Sequence, residues 1–113
     1  MEDRYLFKGK EKDSGKWLEW NVMEGIPHNV TILTNTICQC TGLKDKNGKL
    51  IWEKDVVRCE VGTAEVIWDK SGWRTKWLKN DLWRKDLHYW TVENSEGAEV
   101  IGNIFDNPEL LEV

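Results

Sequence analysis

The sequence predicts an all-β domain, a small barrel or sandwich of short antiparallel strands. Three observations lead there. Apolar and polar residues alternate with period two in short runs, so one face of each run is apolar. Turn signals such as Asn47-Gly48, Gly62-Thr63 and Ser71-Gly72 punctuate the chain at short intervals. No segment carries a sustained helical stripe, and strands this short with turns this regular favour a barrel or sandwich.

The elements follow in order. Residues 4–8 read as a first strand with Tyr5 and Phe7 on one face, and residues 12–15 as a turn. Residues 16–23 read as a second strand, with Leu18, Trp20 and Val22 inward, closing a hairpin. Gly25-Ile26-Pro27 breaks the chain, and the Val, Thr and Ile content of residues 29–39 favours one or two strands about a turn at Thr34-Asn35. Lys44, Asp45 and Lys46 are poor strand formers and predict an exposed polar loop closed at Asn47-Gly48. From Asp55 a strand places Val57, Cys59 and Val61 on the inward face. Gly62-Thr63 reads as a two-residue loop of the glycine-first type. Residues 64–69 follow, with Ala64, Val66 and Trp68 inward, then a turn at 69–72 and a strand at 73–78. This meander resembles the middle of small SH3-like barrels. Residues 79–86 fit a helical stripe only poorly, and both a long hairpin and a short helix are open there. Residues 87–92 and 98–105 read as strands with a turn at 94–97 between them. Asn107-Pro108 opens a short C-terminal helical turn, with Asn107 as its cap.

Composition narrows the class. A length of 113 residues fits a single domain, 1–113. No apolar run approaches the ~20 residues a membrane-spanning helix needs, so no membrane partner is expected. The opening Met1-Glu2-Asp3-Arg4 has no apolar leader, and the three cysteines are odd in number. Both features fit a reduced, cytoplasmic setting. The net charge of −4 supplies no general affinity for nucleic acid. The charge is uneven, however. Residues 69–88 carry six basic and three acidic side chains, whereas residues 93–113 carry six acidic and no basic ones. Eight tryptophans exceed what a core of this size consumes, so some are expected at a surface or interface.

Three groups of residues are candidates for chemistry. Cys38, Cys40 and Cys59 with a histidine match the donor set of a Cys₃His zinc site, but there is one close pair rather than two knuckles. The reading here is buried structural thiols and no cofactor. Nothing places His28 or His88 beside a thiol, so thiol catalysis has no positive sign. The carboxylates Asp13, Glu53, Asp55, Asp69 and Asp106 stand at turns and strand starts, where turn formation explains them. The third group is Trp73, Arg74, Lys76, Trp77, Lys79, Trp83, Arg84 and Lys85, in which aromatic and basic side chains interleave. Such interleaving can hold single-stranded nucleic acid. It also arises in a strand with Trp73, Thr75 and Trp77 inward and Arg74 and Lys76 in solvent. The acidic C-terminal stretch is expected to lie against this basic segment, within one chain or between subunits.

Three blocks also carry a resemblance. The run Thr41-Gly42-Leu43-Lys44-Asp45-Lys46-Asn47-Gly48-Lys49, with Ile51, Glu53 and Asp55-Val56-Val57 after it, resembles the signature of the YopX family of phage and prophage proteins. Val100 to Leu111 resembles that family's C-terminal ending, and Phe7-Lys8-Gly9-Lys10 with Gly15-Lys16-Trp17 its opening. Cys40 stands where an aromatic residue is usual. Lys54 stands where glycine is usual, which argues against a left-handed backbone there. The resemblance implies a single domain of this family, a phage or prophage source and hence the cytoplasm of a bacterial host cell, but no activity. The surplus tryptophans, the complementary basic and acidic segments and the lack of a catalytic set lead to the expected function, a non-enzymatic accessory module working through protein contacts, as a homo-oligomer or with a host or phage protein. The alternative is a small nucleic-acid-binding accessory protein using residues 70–85.

Overall fold

The computed structural model describes residues 2–79, 85–91 and 97–112. Eight strands form: β1 (Leu6–Lys10), β2 (Trp17–Asn21), β3 (Cys38–Lys44), β4 (Leu50–Trp52), β5 (Asp55–Cys59), β6 (Gly62–Asp69), β7 (Gly72–Trp77) and β8 (Glu99–Asn103). They make two four-stranded antiparallel sheets, ordered β2-β1-β3-β4 and β7-β6-β5-β8. The all-β class is as expected, but among the described residues no closed barrel forms, since each sheet keeps two edge strands. Among the described residues the only helical pieces are short 3₁₀ turns.

The second sheet holds the main core. Val57, Ala64, Val66 and Trp77 pack with Ile51, Leu87, Trp90 and Ala98, all buried. β5, β6 and β7 form the expected meander with two tight hairpins. The first hairpin is displaced from its expected place. Cys59 pairs with Gly62, so Glu60 and Val61 make the turn and Gly62 opens β6. Gly62 does have the positive φ that glycine allows (146°), but it uses it inside the ladder, with Trp77 ring carbons within 3.9 Å of where a Cβ would stand. In the second hairpin Lys70 (φ 51°) and Ser71 (φ 63°) are both left-handed, as a type I′ turn requires.

Several expectations are corrected. Residues 87–91 of the strand expected at 87–92 do not form one, and residue 92 lies outside the described residues. Leu87–Trp90 is a 3₁₀ turn, whose three-residue period points both Leu87 and Trp90 into the core. Residues 29–37 give a 3₁₀ turn at Thr34–Thr36 and one bridge from Ile32 to Glu11, and a regular strand starts only at Cys38. Thr36 Oγ1 ties that turn to β1 by accepting from Lys10 N–H (2.8 Å). Val22 and Trp68 are exposed (55% and 56%), because each stands at a strand end past the last core neighbour. Asn107 precedes the C-terminal 3₁₀ turn Pro108–Leu111, but its side chain reaches back to accept from Asn103 N–H (3.3 Å) instead of capping. Lys54 is left-handed (φ 71°), held by its N–H donating to the Val66 carbonyl (2.8 Å) and its carbonyl accepting from Ile104 N–H (3.1 Å). The turn expected at residues 94–97 lies largely outside the described residues, as do residues 80–84.

The central loop closes at Asn47-Gly48 as expected, yet Asp45 is buried rather than exposed. Its Oδ1 accepts from Asn47 and Lys49 N–H and its Oδ2 from Val100 N–H, each at 2.9 Å. Lys46 N–H donates to the Ala98 carbonyl at 3.1 Å. The loop between β3 and β4 is thereby fastened to the strand that closes the second sheet.

Candidate functional site

The basic, tryptophan-rich segment lies on β7 and its flanks. Register decides what each side chain can do. β7 pairs with β6 through Ala64 with Trp77, Glu65 with Lys76, Val66 with Thr75, Ile67 with Arg74 and Trp68 with Trp73. Directly opposed residues of an antiparallel pair share a face. Arg74 and Lys76 therefore share the outer face with Glu65 and Ile67. Trp73, Thr75 and Trp77 share the core face with Ala64, Val66 and Trp68.

The two aromatic pairs are engaged with each other. Trp77 is 8% exposed and packs edge-to-face on Trp90, ring centroids 5.2 Å apart. Trp73 is half-buried and meets Trp68 edge-to-face at 5.0 Å. The cations are in the opposite situation. Lys70, Arg74, Lys76 and Lys85 line an open groove of about 640 Å³, whose wall also includes Ile67, Asp69, Thr75 and Trp77. Among the described residues none of these four cations forms an ion pair. Lys85 is placed by its backbone, whose carbonyl accepts from Thr75 N–H at 2.7 Å on the outer edge of β7, where Asp86 bridges Arg74. Thus the structure brings Arg74, Lys76 and Lys85 together with Trp77, which is 8% exposed, leaves Trp73 out of the lining and leaves Lys79 exposed outside the groove. Trp83 and Arg84 lie outside the described residues. Sequence reasoning left Lys70 out of the site. The signal was its position at the centre of a hairpin turn, which aims it over the outer face.

The acidic C-terminal stretch does not reach this groove within the chain. β7 and β8 are opposite edges of one sheet, with β6 and β5 between them. Asp106 instead joins β1 and β2. It forms an ion pair with Lys10 and accepts from Trp17 Nε1 (2.8 Å), and these hydrogen bonds, Lys10 first, hold its carboxyl down to about 2. The Lys8 ammonium lies between two rings, 4.7 Å from the Trp17 centroid and 4.8 Å from Trp52.

The thiols and buried carboxylates are structural in their contacts. Burial, with Glu53 second, pushes the Cys38 thiol up to about 12, and its Sγ donates to the Thr36 carbonyl (3.2 Å). Burial also raises Cys40. Cys59 is half-buried, not fully buried as expected, because it ends β5 at the hairpin turn. Among the described residues no three His, Cys, Asp or Glu side chains are grouped to hold a metal. Asp55 is 4% exposed and accepts from Trp52 N–H at 2.8 Å, while burial raises its carboxyl to about 6.

Comparison with known proteins gives the chain's relatives. It is similar to a crystal structure of protein EF1440 from Enterococcus faecalis, with a TM-score of 0.59 and 23% identity over 94% of this chain and 96% of that one. At that identity the likeness shows the fold alone. No curated protein matches the chain. The family model described as YopX protein matches residues 2–112, nearly the whole length. The chain belongs to the YopX family.

Proposed function

We propose that this is a phage- or prophage-encoded accessory protein of the bacterial cytoplasm, a non-enzymatic module whose outer β6–β7 face takes an acidic surface of a protein partner. One observation carries the reading. Four cations that form no ion pair among the described residues surround an open groove; Trp73 is absent from its lining, and Trp77, which contributes to it, is 8% exposed and packed edge-to-face on Trp90. A binder of single strands combines cations and free stacking rings on one surface. Here the one ring at the groove is held in the core by its register. The groups best suited to covalent chemistry also serve the fold, with Cys38 raised by burial and Asp45 and Asp55 accepting backbone N–H groups.

Fluorescence anisotropy with the full-length protein tests this. A decaglutamate peptide is expected to bind, and a single-stranded oligonucleotide to bind no better than the ~10⁻⁴–10⁻⁶ M of non-specific contact. Tight oligonucleotide binding with no peptide binding would replace this reading by the nucleic-acid one.

A further inference from the structure

We infer that the acidic group this groove selects is a phosphate monoester, carried on a phosphorylated side chain of the partner protein. The inference rests on the reading of the groove as a site for acidic protein, and names the group recognised there. Its ground is the convergence of cations from separate elements on one small space. Lys70 comes from the β6–β7 turn, Arg74 and Lys76 from β7, and Lys85 from the segment hydrogen-bonded along the outer edge of β7. Against these four the lining holds one carboxylate, Asp69, a balance of +3, and counting Asp86 beside Arg74 still leaves +2. The carboxylate best placed to neutralise Lys76 is directed elsewhere. Glu65 stands directly opposite Lys76 but pairs with Lys54 at 3.7 Å.

The backbone gathers the charges further. Gly72 faces Asp69 on the outer side and has no side chain, so the Arg74 guanidinium lies beside it, Nε and Nη2 each 3.7 Å from the place of a Cβ. That position carries the guanidinium toward the turn and Lys70. Arg74 and Lys76 are two residues apart on one face, about 7 Å along the strand, inside the ~8 Å screening length at physiological salt. Their like charges repel, and one compact anion between them relieves both. A carboxylate brings a single charge, so several would have to stand side by side in the groove and repel in turn. A phosphate monoester brings about −1.5 to −2 in one group with three acceptor oxygens. Two of these oxygens suit the planar Arg74 fork, and a lysine ammonium reaches the third. A hollow of about 640 Å³ is the size of sites that enclose a small molecule. It has room for a phosphorylated side chain, and Ile67 gives an apolar wall to its carbon atoms.

Fluorescence anisotropy with the full-length protein tests the inference. The probe is a labelled ten-residue Gly/Ser peptide with one central phosphoserine, compared with the same peptide carrying serine or glutamate at that place. The phosphopeptide is expected to bind at least about tenfold more tightly than the glutamate peptide, and the serine peptide not measurably. Arg74→Lys keeps the charge and removes the fork, so it should erase most of that preference while leaving decaglutamate binding within about twofold. Lys76→Glu should weaken both probes at least about tenfold. A phosphopeptide that binds no better than the glutamate peptide would overturn the inference. Decaglutamate binding then keeps the groove as a site for acidic protein, and its absence removes both readings. A preference that survives Arg74→Lys and Lys76→Glu alike would place the phosphate outside the groove, and also overturns the inference. Two competitors separate the sources of phosphate. Inorganic phosphate that displaces the phosphopeptide at the peptide's own dissociation constant would leave an anion site with no protein partner. A terminally phosphorylated oligonucleotide that binds more tightly than the phosphopeptide would move the site to nucleic-acid ends. Either result overturns the inference, and weak competition by both supports it.

Discussion

Asp45 Oδ2 accepts the backbone N–H of Val100 at 2.9 Å, across 55 residues of sequence. This one bond joins the two stretches that most resemble the family signature, and it gives that signature a physical meaning. The Lys44–Lys49 segment is a solvent-exposed loop clamped to β8 by its one buried residue, Asp45. Asp45→Ala should therefore lower stability by about 2–4 kcal/mol, since three backbone donors lose a charged acceptor together. Urea unfolding measures it, and an unchanged midpoint would contradict the clamp.

Stability should depend on Asp55 with a definite sign. Burial holds its carboxyl near 6 in the folded chain, against about 3.9 when unfolded. Its contribution is fully present below about pH 4 and is lost as the pH rises through 6, on the order of 2 kcal/mol. Asp106 acts oppositely, because its carboxyl is held down to about 2. Its contribution is present above about pH 4 and is lost as the pH falls toward 2. Asp55→Asn keeps an oxygen for the Trp52 N–H and should flatten the profile between pH 4 and 7. Parallel profiles for wild type and variant would remove Asp55 as the cause.

Lys54→Gly should raise stability by about 1 kcal/mol. A lysine at φ 71° bears the steric cost that glycine avoids. The variant also loses the Lys54–Glu65 pair (3.7 Å), a partly exposed contact worth less than that gain. A lower thermal midpoint would show that the pair outweighs the backbone.

The thiols should label in a set order. Cys59, half-buried at the hairpin, should react first in the native protein, and Cys38 and Cys40 only after denaturation. Mass spectrometry after timed alkylation resolves the three. Labelling of Cys38 as fast as Cys59 would deny its burial.

What was legible in the sequence was local. The alternation Ala64, Val66 against Glu65, Ile67 and the polar turn at residues 69–72 determine the β6–β7 hairpin on their own. That same alternation indicated that Arg74 and Lys76 face solvent. What depended on distant residues was illegible. Asp45 reads as a loop residue until β8 arrives to cover it. Lys54 is left-handed because Val66 and Ile104 hold its backbone, and nothing near it in sequence says so. Leu87 and Trp90 form a turn because the core needs both at once. The groove was half visible: the charge count included Lys70, but only the type I′ hairpin brings it to Arg74 and Lys76.

The central claim is that the cations of the outer face bind while the tryptophans behind it do not. The most direct test compares Lys76→Glu with Trp68→Ala for decaglutamate affinity in the full-length protein. Both residues are exposed, one on each face of the same hairpin. The account predicts at least a tenfold loss for Lys76→Glu and no change for Trp68→Ala. A loss confined to Trp68→Ala would contradict it.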